Sequence, residues 1–201
     1  MCFTSDILLL STSHKMPKIK ILKDEVVWNG RYIQTIRRHF AGRSGKIKTW
    51  EMAKRKTFRN IVAIAPLTPK NEIILVQIYR IPMKKYVIEL CAGLTDKKDE
   101  SEAKTIRREL LEETGYTVSR VEKLITGPYS SGLADTEMTI YLGLGAKKIA
   151  KPRLEESEDI KVLKIPLRNA YRFLTHPSRD VKVDLKILSL LSILAKKGYS
   201  V

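Results

Sequence analysis

The sequence predicts a mixed α+β fold with one main domain and a smaller β-rich segment before it. Short runs of β-branched residues recur along the 201-residue chain, and helical periodicity is confined to three segments. Hydrophobic residues make up 43% of the sequence, which is enough for a buried core at this length. We therefore expect helices packed on a sheet over residues 57–201, preceded by a β-rich segment over residues 16–56.

The individual elements follow from local patterns. Alternating apolar and polar residues over 18–40, with Asn29-Gly30 between them, predict a hairpin. A second turn at residues 42–45 leads into a strand over residues 46–56. Apolar residues recur at three- and four-residue spacing from Leu185 onward, which predicts a C-terminal helix. The other predicted strands are residues 60–67, 72–79, 86–90, 118–127, 137–144 and 161–165, and the predicted helices are 100–114, 167–174 and 180–197.

The ends of the chain and its cysteines limit the class of protein. Residues 1–15 are expected to be a poorly ordered extension, and Met16 is a candidate true start. No apolar run approaches the roughly 18 to 20 residues that span a bilayer, so no membrane partner is expected. Cys2 and Cys91 lie in such different surroundings that a disulfide framework is not expected, which favours a reducing cytoplasm.

The charge is strongly basic, with 38 Lys and Arg against 22 Asp and Glu and a net charge of +16. An anionic partner and a lysine-rich proteome both explain such a balance. The basic clusters are scattered and are not interleaved with aromatic residues, as a groove for single-stranded nucleic acid would require. The pattern therefore does not favour a nucleic-acid partner.

The helix predicted over residues 100–114 carries the chemistry. Glu109, Glu112 and Glu113 are spaced i, i+3 and i+4, so they share one helical face. They repel one another and oppose the helix dipole, and a hard divalent cation such as Mg²⁺ would offset both costs. The alternative is a solvated acidic face paired with lysines. Gly115 should end the helix in the left-handed conformation. The opposite face carries apolar residues that would pack on a sheet: Ala103, Ile106, Leu110 and Leu111.

This segment resembles the Nudix box. That motif reads Gly, five residues, Glu, seven residues, Arg-Glu, an aliphatic residue, any residue, Glu-Glu, any residue, Gly and an aliphatic residue. Glu100 and the run from Arg108 to Tyr116 match it. Gly93 lies one residue too far from Glu100, so we expect one extra residue in the loop 94–99, although Asp99 could instead take the register. The resemblance implies a Nudix α/β/α sandwich and Mg²⁺-dependent hydrolysis of a pyrophosphate bond.

Four further stretches resemble the ADP-ribose or ADP-sugar pyrophosphatase branch of that superfamily: residues 45–55, 76–93, 130–133 and 156–160. The resemblance implies a nucleoside diphosphate sugar as the small-molecule substrate, with AMP and a sugar phosphate as products of ADP-ribose. It also implies Mg²⁺ or Mn²⁺ as cofactor and a homodimer formed through residues 16–56. Cys91 and Ser131 stand where the branch usually has Pro, which leaves the choice of sugar open.

The resemblance assigns the catalytic and metal-binding roles. Glu109 and Glu113 would bind metal directly, Glu112 directly or through water, and the backbone carbonyl of Ala92 would complete the shell. Arg108 would orient these carboxylates. Glu158 would accept the proton of the attacking water, because carboxylates bound to metal cannot also do so. Glu155 and Glu156 remain alternatives for that base, and a solvated acidic loop is the alternative for all three.

The resemblance also implies a substrate-binding set. Arg80 and Glu89 would contact the phosphates and ribose, since the arginine fork binds two phosphate oxygens. Trp28 and Trp50 would sandwich the adenine, one of them supplied by the partner subunit, although either could instead be a core aromatic. The remaining expected contacts come from the segments that resemble the branch: Glu51, Arg55 and Gly132.

Two other functions are compatible with the same motif. An RNA-end or nucleoside triphosphate pyrophosphohydrolase is favoured by the net charge of +16. A non-catalytic nucleotide-binding module is disfavoured, because all carboxylates of the box are present.

Overall fold

Two units make up the chain in a computed structural model, which describes residues 18–56, 60–95 and 99–201. The first unit ends at Lys54 and the second extends from Arg55 to Val201. The expected extension over residues 1–15 and the candidate start at Met16 lie outside the described residues.

The first unit is a three-stranded sheet in the order β1-β2-β3. Its strands are β1 (Lys20–Asn29), β2 (Ile33–Ala41) and β3 (Ile47–Arg55), as the alternation predicted. The predicted turn at Asn29-Gly30 closes where the Gly30 N–H donates to the Ile33 carbonyl at 2.9 Å. Every residue of β1 is exposed, including its apolar ones.

The second unit contains the main sheet. Its strands are β4 (Ile61–Leu67), β5 (Glu72–Arg80), β6 (Lys85–Glu89), β7 (Cys91–Leu94), β9 (Arg120–Pro128), β10 (Glu137–Leu144), β12 (Ile160–Pro166) and β13 (Val181–Val183), and a separate pair is formed by β8 (Tyr116–Thr117) and β11 (Lys147–Lys148). The strand order is β13-β6-β5-β4-β10-β9, with β12 paired to β5 and β7 paired to β4. The β4–β10 and β6–β13 pairs are parallel, and the other pairs in this sheet are antiparallel.

Helices cover both faces of this sheet. Successive side chains of β4 point to opposite faces, as in any strand. Ala63 and Leu67 join a cluster with α2 (Leu167–Thr175) and α3 (Leu185–Lys196), whereas Val62 and Ile64 join a cluster with α1 (Glu102–Thr114). The expected α/β/α sandwich is confirmed. Among the helices of the described ranges, none has the length and apolarity to cross a membrane.

The C-terminal helix begins later than predicted. Residues 181–183 form strand β13, parallel to β6, instead of the first turn of a helix over 180–197. Asp184 separates the two elements, because its N–H donates to the Ile88 carbonyl at 3.0 Å and its side chain accepts from the Lys186 N–H at 3.0 Å. The β-branched valines therefore pair in the sheet, and the helix starts at the N-cap that follows them.

Helix α1 is fixed at both ends. Ser101 caps its N-terminus by accepting from the Lys104 N–H, and Gly115 ends it with φ of 74°. The predicted left-handed cap at Gly115 is confirmed, and its N–H donates to the Leu111 carbonyl at 2.9 Å. A Cβ at this glycine would lie 2.1 Å from the Ala150 carbonyl oxygen, so a larger residue would be excluded there. These caps set the register of the acidic face.

Candidate active site

Two cavities of the second unit share a wall formed by Arg80 and the β7 residues 92–94. The carboxylate cavity has a volume of about 640 Å³ and contains the predicted site residues Arg80, Ala92, Arg108, Glu109, Glu112, Glu113 and Glu158. The adjoining cavity has a volume of about 380 Å³ and contains the predicted site residues Arg55, Arg80, Glu89 and Ala92. The fold thus brings most of the predicted set around one wall.

Glu113 is the most deeply buried carboxylate of the acidic face. It is 9% exposed, and no hydrogen-bond partner among the described residues reaches its Oε2 atom. Burial, together with the nearby charges of Glu109 and Glu158, raises the pKa of Glu113 to about 8. Burial also raises the pKa of Glu109. These side chains are held in a setting that disfavours their ionised form unless a cation is present.

Arg108 forms ion pairs with the other carboxylates of the segment that resembles the Nudix box. Its Nη1 atom lies 2.8 Å from Glu109 Oε1 and 3.0 Å from Glu112 Oε2, and its Nη2 atom lies 3.2 Å from Glu100 Oε2. Burial lowers the pKa of Arg108, but these carboxylates outweigh it and the pKa is raised overall. Glu100 therefore keeps its place opposite Arg108, as expected if the extra residue lies in the preceding loop.

The acidic face fits a hard divalent cation. Within residues 18–56, 60–95 and 99–201, no three His, Cys, Asp or Glu side chains already converge on one point. In this arrangement Glu109 and Glu112 both contact the Arg108 guanidinium. Mg²⁺-type ions bind oxygen donors, and this face offers carboxylate oxygens that include Glu113 Oε2, which has no hydrogen-bond partner in the part of the chain that the structure describes. Ala92, whose carbonyl was expected to join the shell, lines the same cavity.

Arg80 and Glu89 form a two-pronged ion pair at the shared wall. Arg80 Nε donates to Glu89 Oε1 at 2.8 Å, and Nη2 donates to Oε2 at 2.6 Å. The hydrogen bonds that Arg80 donates to the Glu89 carboxylate raise the pKa of Arg80 above its ordinary value. The guanidinium is thus held as a fixed positive charge between the two cavities.

The acidic loop that carries Glu158 is anchored on both sides. The Glu158 N–H donates to the Glu155 carbonyl at 3.0 Å, and Glu158 Oε2 accepts from the Glu155 N–H at 2.9 Å. Its neighbour Asp159 accepts from the Tyr79 N–H at 3.1 Å and, through Oδ2, from the Tyr86 hydroxyl. Glu158 and Glu155 line the carboxylate cavity.

Several lining residues were not predicted. Arg153 lines the carboxylate cavity, where its N–H donates to the Glu112 carbonyl at 2.8 Å. Tyr129, Asp184 and Lys186 line the adjoining cavity. The Lys186 ammonium lies 4.8 Å from the Tyr129 ring centroid and 2.7 Å from Asp184 Oδ2. The N-cap pattern at Asp184 was a signal for the helix start, but nothing in the local sequence pointed to a cavity.

The other predicted substrate contacts belong to the first unit or to a turn of the second unit. Trp28 on β1 and Trp50 on β3 are each 55% exposed, so the alternative that they are core aromatics is wrong. Glu51, also in the first unit, accepts from Arg37 Nη2 at 3.2 Å. Gly132 belongs to a turn of the second unit, in which the N–H groups of residues 133 and 134 donate to the Ser130 carbonyl.

Comparison with known proteins agrees with this geometry. The NUDIX domain matches residues 57–184, about two thirds of the chain. The chain belongs to the Nudix family. The expected family is confirmed, and with it the expectation of a Nudix hydrolase that depends on divalent metal ions.

Two relatives and one solved structure extend the comparison of this Nudix chain. The methanol dehydrogenase activator of Bacillus methanolicus is 29% identical over 163 residues, covering 80% of this chain and 85% of that protein. The ADP-ribose pyrophosphatase of Bacillus subtilis (strain 168) is 29% identical over 163 residues, covering 81% and 85%. A crystal structure of an ADP compounds hydrolase superposes with a TM-score of 0.74 at 21% identity, covering 94% of this chain and 100% of that chain, and shares the fold.

Proposed function

We propose that this Nudix chain hydrolyses the pyrophosphate bond of ADP-ribose or a related ADP-sugar, giving AMP and a sugar phosphate. The observation that carries the proposal is the buried Glu113 carboxylate, whose Oε2 atom has no hydrogen-bond partner among the described residues, in a cavity whose wall with the adjoining cavity includes Arg80. A pyrophosphate lying across that wall would place one half of the substrate in each cavity. A relative named ADP-ribose pyrophosphatase supports the choice of nucleotide.

The metal in this proposal is Mg²⁺, with Mn²⁺ as a substitute. Glu109 and Glu113 would bind it directly, Glu112 directly or through water, and the Ala92 carbonyl would complete the shell. Bound cations of this type neutralise pyrophosphate oxygens and make water a better nucleophile. Arg108, which already contacts Glu109 and Glu112, would keep the carboxylates oriented as the substrate changes.

The chain's own residues would supply binding and proton transfer. Arg80, held by Glu89, would bind phosphate oxygens at the wall between the cavities. Glu158 would accept the proton of the attacking water, because its carboxylate lines the cavity and is close enough to raise the pKa of Glu113 and Glu109. Glu155 lines the same cavity and is the next candidate for that base.

The first unit would recognise adenine within a homodimer. Its exposed strand β1 carries Ile21, Val26 and Trp28, each more than half exposed. A row of apolar residues on a sheet fits burial against a second copy of the chain. Trp28 and Trp50 would then stack on the base, and Glu51 would contact its edge. The free Cys91 thiol agrees with a cytoplasmic setting.

Product analysis tests this function. The purified chain with Mg²⁺ is incubated with ADP-ribose, other ADP-sugars and GDP-sugars, and the phosphate products are identified by chromatography. The proposal predicts AMP and ribose 5-phosphate from ADP-ribose. Absence of cleavage across the ADP-sugars would contradict it. Cleavage of triphosphorylated or capped RNA instead, with a steep dependence on salt, would favour the RNA-end alternative that the net charge of +16 suggests.

A further inference from the structure

The adjoining cavity is lined by two ion pairs that are connected to neighbouring residues of β6. Glu89 pairs with Arg80, and the Ile88 carbonyl accepts from the Asp184 N–H at 3.0 Å. Asp184 Oδ2 in turn lies 2.7 Å from the Lys186 ammonium. The same cavity is also lined by buried apolar residues: Ile61, Ala63, Leu90 and Met138. The cavity therefore combines an apolar lining with a few oriented polar groups, as sites for small organic ligands do.

The Lys186 ammonium is held on two sides. Its Nζ atom lies 2.7 Å from Asp184 Oδ2 and 4.8 Å from the centroid of the Tyr129 ring. The Tyr129 backbone is fixed in turn, because its N–H donates to the Thr136 carbonyl at 2.9 Å. An ammonium has three N–H donors, and these two contacts occupy two of them. The third has no acceptor in the described part of the chain, so it is left for a group in the cavity that Lys186 lines.

The position of Lys186 indicates which part of the substrate it would meet. Arg80 lines both cavities, whereas Lys186 lines only the adjoining one. A pyrophosphate at the shared wall would have its phosphates near Arg80, and the next group along the substrate would lie in the adjoining cavity. In ADP-ribose, a ribose flanks the pyrophosphate on each side, so that group is a ribose whichever half enters. A ribose hydroxyl can accept from Lys186 and donate to Asp184.

We propose that Lys186 is a specificity-determining residue, which donates to a hydroxyl of the ribose beside the pyrophosphate while Asp184 accepts from that sugar. The inference rests on the proposed hydrolysis of ADP-ribose and adds to it the residues that recognise the sugar. Tyr129 holds the ammonium in place from its other side. The hydroxyl belongs to the nucleoside ribose or to the terminal ribose, which are chemically alike, and the experiment below distinguishes them.

A substitution combined with altered substrates tests this contact. Lys186→Met keeps most of the length of the side chain, and it keeps the helix N-cap because Asp184 accepts from the backbone N–H of residue 186. With Mg²⁺, kcat/KM is measured for ADP-ribose and for analogues that lack a single hydroxyl, on the nucleoside ribose in one set and on the terminal ribose in the other. Lys164→Met is the matched control, because Lys164 Nζ pairs with Glu72 Oε1 at 3.3 Å and lines neither cavity.

We expect Lys186→Met to lower kcat/KM for ADP-ribose by about 10- to 100-fold, the effect of losing one hydrogen bond from a charged donor. Wild type should lose a similar factor with one of the deoxy analogues. Lys186→Met should cleave that analogue and ADP-ribose within about threefold of each other, since the contact is already gone. Lys164→Met should discriminate between them as wild type does. The set that contains this analogue identifies the ribose.

Two results would overturn the inference while wild type cleaves ADP-ribose. One is a kcat/KM of Lys186→Met equal to that of wild type, and the other is a further loss with every deoxy analogue as large as wild type shows. Failure of the proposed function is a separate result, in which wild type cleaves no ADP-sugar, and the inference then fails with it. Should Lys186→Met not fold because Asp184 has lost its cation, the double substitution with Asp184→Asn removes that charge and keeps a side-chain N-cap.

Discussion

The two ends of helix α1 each carry a carboxylate, but the hydrogen bonding and the direction of the pKa shift differ between them. At the N-terminal end, Glu102 accepts from Asn60 Nδ2 at 2.8 Å and from the Tyr141 hydroxyl at 2.6 Å. Burial opposes ionisation of Glu102, but these hydrogen bonds outweigh it and its pKa is lowered. At the C-terminal end, Glu113 lacks such donors among the described residues, and burial raises its pKa to about 8. A satisfied carboxylate anchors the fold, whereas an unsatisfied one marks a place for a ligand.

The anchored end ties the helix to the sheet. Asn60 Nδ2 also contacts Thr139 Oγ1 at 2.9 Å, and Thr139 is bonded to Thr126 at 3.0 Å, so one network joins α1 to the strands β9 and β10. We therefore expect substitutions at the C-terminal end of α1 to lower activity and substitutions at its N-terminal end to lower stability.

The largest expected effect is on turnover at the C-terminal end. Glu113→Gln keeps the shape of the side chain but removes its charge, so we expect kcat for ADP-ribose hydrolysis to fall by about three orders of magnitude or more. Product formation with Mg²⁺ measures it, and circular dichroism checks the fold. Glu102→Gln is the matched control on the same helix and should keep kcat within about tenfold of wild type. Turnover by Glu113→Gln close to wild type would refute the assignment.

The second effect is a dependence of stability on pH. Because the folded pKa of Glu113 is about 8 and its ordinary value is 4.5, the folded state holds its proton more tightly than the unfolded state. Stability from this group is therefore fully present below pH 4.5 and is lost as the pH rises through about 8. In chelator, Glu113→Gln should be more stable than wild type at pH 8.5 by on the order of 3 kcal/mol, and the gap should close at pH 5. Urea unfolding at both pH values checks this, and an equal gap at both would exclude it.

Arg80 provides the third effect. Arg80→Lys keeps the charge but cannot form the fork with Glu89, so kcat/KM for ADP-ribose should fall by about 10- to 100-fold. Steady-state kinetics measure it. Arg120→Lys, at an exposed position outside both cavities, is the control and should leave kcat/KM unchanged. Equal kinetics for the two variants would mean that Arg80 does not bind the phosphates.

The smallest effect is at the anchored end. Tyr141→Phe removes one donor to Glu102 and should lower the free energy of unfolding by about 1–2 kcal/mol, while kcat changes less than about threefold. Urea denaturation and kinetics measure both, and Tyr171→Phe, at an exposed position, is the control. A large loss of kcat with unchanged stability would reverse the interpretation of the two ends.

The sequence predicted the C-terminal end of α1 better than the N-terminal end. The spacing of Glu109, Glu112 and Glu113 and the cap at Gly115 are local patterns of one helix, so periodicity and residue type were enough to find them. The partners of Glu102 come from residues 60 and 141, far away in the chain, and no local pattern connects them. Long-range pairing of this kind depends on the strand order of the sheet.

Long-range pairing also determines which residues line the two cavities, and local sequence patterns do not predict it. Strand β7 has only four residues and contains a glycine, and β13 has only three residues, so neither gives an alternation long enough to predict a strand. Lys186 and Arg153 reach the cavities only because β6 pairs with β13 and because the loop after β11 returns to Glu112. Their positions follow from topology, which the sequence alone did not reveal.

One measurement tests the central claim that the unsatisfied end of α1 binds the divalent cation. The melting temperature of wild type, Glu102→Gln and Glu113→Gln is recorded at pH 8 with chelator and with millimolar Mg²⁺, since a ligand that binds the folded state raises the melting temperature. We predict that Mg²⁺ raises it for wild type and for Glu102→Gln but not for Glu113→Gln. An equal rise in all three proteins would contradict the assignment.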